Sequence, residues 1–140
     1  MKKSEAAPPL FSSPVLSLCH NNRMTAVEIV MKNIELIKNL ALGELSPSEK
    51  PKEAKEIFCG ARRRLLEIRL RDKAVLAKHH AVEPITILCL AGHGTLRAGH
   101  DLEDEVKLVA GTLLTLDAAI EHEVVAEPEL RLLITKFTES

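Results

Sequence analysis

The chain has 140 residues, 46% of them hydrophobic, and a formal net charge of −1 at pH 7. That suffices for one domain with its own core, and a nearly balanced charge sets up no field toward polyanions or anionic membrane surfaces. Three phenylalanines with no Trp or Tyr exclude a stacking platform for single-stranded nucleic acid, which needs ring faces for successive bases.

The opening segment, residues 1–23, carries Pro8, Pro9 and Pro14, which break its apolar run. Leu18 is too large for the position before a lipidated cysteine, so "VLSLC" is not read as a lipoprotein signal. We expect a disordered tail there, and Met24 is a candidate start. No apolar stretch approaches the ~20 residues that span a bilayer, so no membrane partner is expected. Cys19, Cys59 and Cys89 are odd in number, widely spaced and without a C-x-x-C pair. This pattern fits buried thiols in a reducing compartment, hence a cytoplasmic protein. Cys89, inside "ITILCLAG", reads as a small core side chain.

From Met24 to Leu42, Val27, Val30, Ile34, Ile37 and Ala41 recur at helical steps, although a short strand would also fit them. "GELSPSEKPKEAKE" reads as an exposed connection. The expected organisation is therefore a tail over 1–23, an N-terminal segment and linker over 24–56, and a barrel domain over 57–140.

After Ile57 the period changes. Leu66, Ile68 and Leu70 alternate with Glu67, Arg69 and Arg71, a strand with one wet face. The basic run "ARRRLLEIRLR" is that solvated face rather than a phosphate site. "RDK" is a turn, and a short strand starts at Val75. "ITILCL" follows Pro84 and is punctuated by Gly92 and Gly94. "TLRAGHD" turns at Gly99-His100-Asp101. "EVKLVAG", "TLLTL", "EHEVVA" and "LRLLITKF" complete seven or eight short strands, with Glu127-Pro128-Glu129 between the last two. Such spacing predicts an all-β antiparallel sandwich or barrel.

With these strands in place, residues 57–137 resemble the small single-domain cupins, RmlC-like double-stranded β-helix barrels. Their first motif is glycine, five residues, H-x-H, three or four residues, glutamate, six residues, glycine. The second is glycine, five residues, P-x-G, two residues, histidine, three residues, asparagine. The frame places Lys73, His79, Ala81, Ile85 and Gly92 at the first motif's positions. Gly111, Asp117, Ala119, His122 and Ala126 take those of the second. "PITILCLAG" also resembles the "PITVQVLEG" type of these proteins. In the family the histidines and the glutamate form a His₃Glu shell suited to Fe, Mn, Ni or Zn. Here Ala81 and Ile85 remove two of those four donors.

His79 and His122 are thus the candidate metal ligands. Adjacent His80 should face outward unless a β-bulge at 79–80 turns it in. Ile85, Ile87, Leu114 and Leu116 are candidate wall residues of a ligand cavity. His93 and His100 fall at turns. The acidic "HDLEDE" lacks the alternating oxygen spacing of a calcium loop, and no nucleotide or hydrolase motif occurs.

Three functions follow from the resemblance. The first is a homodimeric barrel that binds a small, partly apolar molecule without a complete metal site. The second is a metal-dependent oxygenase or isomerase. The third is a filled barrel with a structural or interaction role.

Overall fold

The computed structural model describes residues 32–38, 40 and 50–139. Seven strands follow in order: β1 (Lys52–Gly60), β2 (Arg63–Leu70), β3 (Val75–His79), β4 (Ile85–Ala98), β5 (Asp104–Leu108), β6 (Leu113–Leu116) and β7 (His122–Lys136). Every pairing is antiparallel, and no helix occurs among the described residues. The chain is all-β there, as the alternation predicted. The tail expected over 1–23 lies outside the described residues, as does most of the helix expected over Met24–Leu42. Residues 32–38 of that helix are described, and they form neither helix nor strand.

Two long strands organise the barrel. The first half of β4 pairs with β6 and with the second half of β7, which also pairs with β2. The second half of β4 pairs with β5 and with the first half of β7, which also pairs with β3. One layer therefore reads β1-β2-β7-β4-β6 and the other β3-β7-β4-β5. Both long strands cross between layers at a corner. The β4–β7 register slips between Cys89 and Ala91 and again between Gly92 and Gly94. Residues Glu127–Glu129 of β7 bulge out at the same place. Gly92 has φ +90°, and a Cβ there would meet the Glu129 carbonyl. Only glycine fits this close crossing.

Away from that corner, the connection 80–84 takes β3 into β4, and 117–121 takes β6 into β7. The two are tied by Ala119 N–H donating to the Ala81 carbonyl at 2.8 Å. We call this end the mouth of the barrel.

The core lies between the layers. Leu66, Ile68, Leu70, Ile85, Ile87, Cys89, Leu130, Leu132 and Ile134 come from one layer. Leu96, Ala98, Leu108, Val124 and Ala126 come from the other. Rows such as Leu66–Ile134–Ile87–Leu114 run across the strands, because direct antiparallel partners point to the same face. Removing a side chain such as Ile87 or Leu132 from water contributes roughly 2–3 kcal/mol.

Four features differ from the sequence reading. "ITILCL" and "TLRAG" are one bent strand of 14 residues, and "EHEVVA" and "LRLLITKF" join as one of 15, since pairing continues around the corner. β1 opens at Lys52, inside the stretch read as an exposed connection. The alternate face of β2 is not wholly wet. Glu67 is 3% exposed and accepts from Arg69 Nε at 3.2 Å. Arg71, also buried, donates to the Lys50 carbonyl and pairs with Glu53. Finally, Cys59 is disulfide-bonded, which corrects the expectation of thiols throughout. Cys89 is the free, buried thiol that was expected. Burial raises its pKa, which a hydrogen bond to the Ala91 carbonyl only partly offsets.

Candidate functional site

The site begins with a defect in β3. Leu76 pairs with Val124 and His79 with His122, so Ala77 and Lys78 together oppose the single residue Glu123. This β-bulge resets the alternation. Ala74 and Leu76 pack against the core, and without the extra residue Lys78 and His80 would share their face. With it, His79 turns inward and His80 is left exposed. The bulge that sequence reasoning reserved for 79–80 thus occurs at 77–78. Its effect is to choose His79 alone.

His79 and His122 converge. Their ring centroids are 4.4 Å apart with planes tilted by 57°. His79 Nδ1 lies 2.7 Å from the Ala77 carbonyl, and His122 Nδ1 lies 3.0 Å from the Ile120 carbonyl. A carbonyl only accepts, so Nδ1 carries a proton in both rings. His122 is 4% exposed, and burial pushes its pKa down to about 4. The Ile120 carbonyl opposes that shift, and the charges of His79 and His80 add to it. At neutral pH His122 is therefore a neutral imidazole, held in one tautomer.

The second motif histidine reaches this position through its neighbours. His122 is also the partner of Ala98 on β4, so the histidine row closes on a small side chain. Four positions that the motifs assign to glycine share left-handed backbone: Lys73 (φ 61°), Gly92 (90°), Gly111 (97°) and Ala119 (68°). Two of these carry another residue in the same conformation. The backbone thus matches the motif frame even where the side chains do not.

Across the mouth, Ile85 takes the position of the family's glutamate and is buried, with Ile87 one row deeper. Leu114 and Leu116 are half-buried against the same core. Ala81 is likewise half-buried and brings no donor. His93 is exposed at the β4 corner, and His100 is exposed in the turn after β4. A hollow of about 370 Å³ at this end is lined by His80, His100, Ala119, Ile120 and Glu121. There Glu121 accepts from His100 Nδ1 at 3.2 Å and pairs with Lys78 at 3.7 Å.

Sequence reasoning missed one inward group. Lys136 is the cross-strand partner of both Ile85 and Arg64, and its side chain is 4% exposed. The parity of Leu130, Leu132 and Ile134, carried one step further through "LRLLITKF", would have found it. Burial lowers its ammonium pKa against the raising effect of Glu83, while Arg64 lowers it further.

The donor set does not fit the His₃Glu shell. Two imidazoles converge, Ala81 and Ile85 supply nothing, and an ammonium stands in the row beside Ile85. Among the described residues no three of His, Cys, Asp or Glu are grouped to hold a metal ion. No chemistry is therefore routed through a metal here.

No family model matches the chain, and no curated protein does. Solved structures do. An RmlC-like cupin protein from Desulfovibrio desulfuricans superposes with a TM-score of 0.63 at 16% identity, covering 74% of this chain and 97% of that one. A cupin superfamily protein from Desulfitobacterium hafniense gives 0.60 at 13%, covering 66% and 83%. A mutant salicylate 1,2-dioxygenase from Pseudoaminobacter salicylatoxidans, solved with gentisate, gives 0.56 at 17%, over 62% of this chain and 25% of that chain. The fold is that of the RmlC-like cupins, a double-stranded β-helix. At these identities the likeness establishes architecture alone.

Proposed function

We propose that this protein binds a small, partly apolar molecule at the mouth of its barrel and does so without a complete metal centre. The observation that carries the reading is the His79–His122 pair, 4.4 Å between ring centroids, in a mouth where the motif's glutamate position holds buried Ile85. The two imidazoles orient a ligand by hydrogen bonding, His122 accepting at Nε2, and Ile85, Leu114 and Leu116 offer it apolar contact. Few polar groups in an apolar wall is the usual composition of a small-molecule site. Either imidazole is also chemically equipped to serve as a base.

We further propose a homodimer. Leu133, Leu88 and Leu113 form a row on the outward side of the first layer, and Leu113 is 65% exposed. A second copy would cover that row, and light scattering at the monomer mass would contradict it.

The binding reading is tested with the probe 1-anilinonaphthalene-8-sulfonate on untagged protein. We expect one saturable site per chain that is lost when Leu116→Trp fills the mouth in a protein that still unfolds cooperatively. Binding that is absent, or indifferent to Leu116→Trp, would remove the reading.

A further inference from the structure

Lys136 and Glu83 make a second polar centre in the mouth, on the layer opposite the histidines. The row Arg64–Lys136–Ile85–Leu116 is fixed by register, and its members share the face that Ile85 buries. Lys136 is 4% exposed, and its Nζ stands 3.8 Å from Glu83 Oε1. That is an ion pair but too long for a hydrogen bond. Glu83 Oε1 is buried and has no hydrogen-bond partner among the described residues.

A buried carboxylate oxygen left without a donor is costly. A single oxygen hydrogen-bonded to both groups would satisfy it. A carboxylate ligand would only accept and would leave Oε1 unsatisfied. An ammonium would only donate, against the cations Lys136 and Arg64. A hydroxyl does both, accepting from the ammonium and donating to the carboxylate.

We propose that Lys136 and Glu83 bind the hydroxyl group of an alcohol-bearing, partly apolar ligand whose carbon skeleton lies against Ile85 and Leu116. This inference rests on the reading that a small molecule occupies the mouth, and it names that molecule's class. It also gives the two lips different tasks. Glu83 and Lys136 recognise the hydroxyl, while His122 accepts a hydrogen bond on the other side.

The test is a pair of probes of similar shape, benzyl alcohol and toluene, followed by amide chemical-shift titration of ¹⁵N-labelled protein around Ile85 and Leu116. The wild type should bind benzyl alcohol about tenfold or more tightly than toluene, as expected when a hydrogen bond to charged groups is at stake. In Lys136→Met the preference should fall to within about threefold. Glu83→Gln, the gentler change, should reduce it as well and serves if Lys136→Met does not fold. Equal affinities in the wild type would mean that water alone fills the gap, and would overturn the inference while leaving the mouth as a binding site. A preference that survives both substitutions would also overturn it. If neither probe binds, the underlying reading of the mouth fails instead.

Discussion

His79 and His122 are direct cross-strand partners on β3 and β7, with ring centroids 4.4 Å apart. Each ring donates its Nδ1 proton to the carbonyl two residues before it. The pair is built into the backbone as much as into the side chains. His79 reaches it only because Ala77 and Lys78 share one opposing residue.

The burial of His122 makes stability depend on pH. Its folded pKa is about 4 against an ordinary value of 6.5. Between those values the unfolded chain takes up the proton and the folded one does not. Stability is therefore fully present above about pH 6.5 and is lost as pH falls from there through about 4, with a limiting loss of about 3 kcal/mol. Denaturant unfolding at intervals over that range should show the slope, and His122→Phe should flatten it. In an NMR titration the His122 ring should still be neutral at about pH 5.5.

Deleting Lys78 should remove the bulge without losing the pair. Leu76, Ala77 and His79 would then oppose Val124, Glu123 and His122 one to one, keeping His79 inward. The cost should stay near 1–2 kcal/mol, since Lys78 gives up only its bonds to the His100 carbonyl and Glu121. A His122 titration unchanged from wild type would support this register. A protein in which His80 took the inner position would contradict it.

The motif glycines separate backbone strain from crowding. Ala119→Gly should stabilise by about 0.5–1 kcal/mol, because an alanine at φ 68° carries left-handed strain that glycine lacks, less the entropy glycine loses on folding. Gly111→Ala should cost about 1 kcal/mol from strain alone, as a Cβ there meets nothing within 4 Å. Gly92→Ala should cost more than about 2 kcal/mol, since its Cβ would also strike the Glu129 backbone. Thermal unfolding of the three variants gives the order directly.

Much of this fold was legible because strand side chains alternate. Leu66, Ile68 and Leu70 on β2 and Leu130, Leu132 and Ile134 on β7 announced their inner face by parity alone. The corner was not legible, because Gly92-His93-Gly94 looks like a strand end although pairing continues through it. Alternation assigns Glu67 to the outer face but does not say how much water reaches that face. The bulge at 77–78 was hidden for a similar reason: it is a relation between β3 and β7, not a property of either. In the site, His79 and His122 were readable from the motif frame. Lys136 was overlooked because a terminal lysine is ordinarily taken as solvated.

Supplying the two absent donors should create a metal site. Ala81→His with Ile85→Glu would return the His₃Glu set to a frame whose glycine conformations are intact. The double variant is expected to bind Ni²⁺ or Zn²⁺ at close to one per chain by titration calorimetry. The carboxylate introduced by Ile85→Glu would face Lys136, the cross-strand partner of that position. Adding Lys136→Met to the double variant should therefore tighten binding further. Failure of both variants to take up metal would mean that the frame itself has changed.

The central proposal is that His79 and His122 form a polar pair at the mouth and not a working metal centre. Elemental analysis of untagged wild-type protein and of His122→Ala tests it most directly. The account predicts metal well below one equivalent per chain in both, with no difference between them. Metal near one equivalent in the wild type that vanishes in His122→Ala would contradict it.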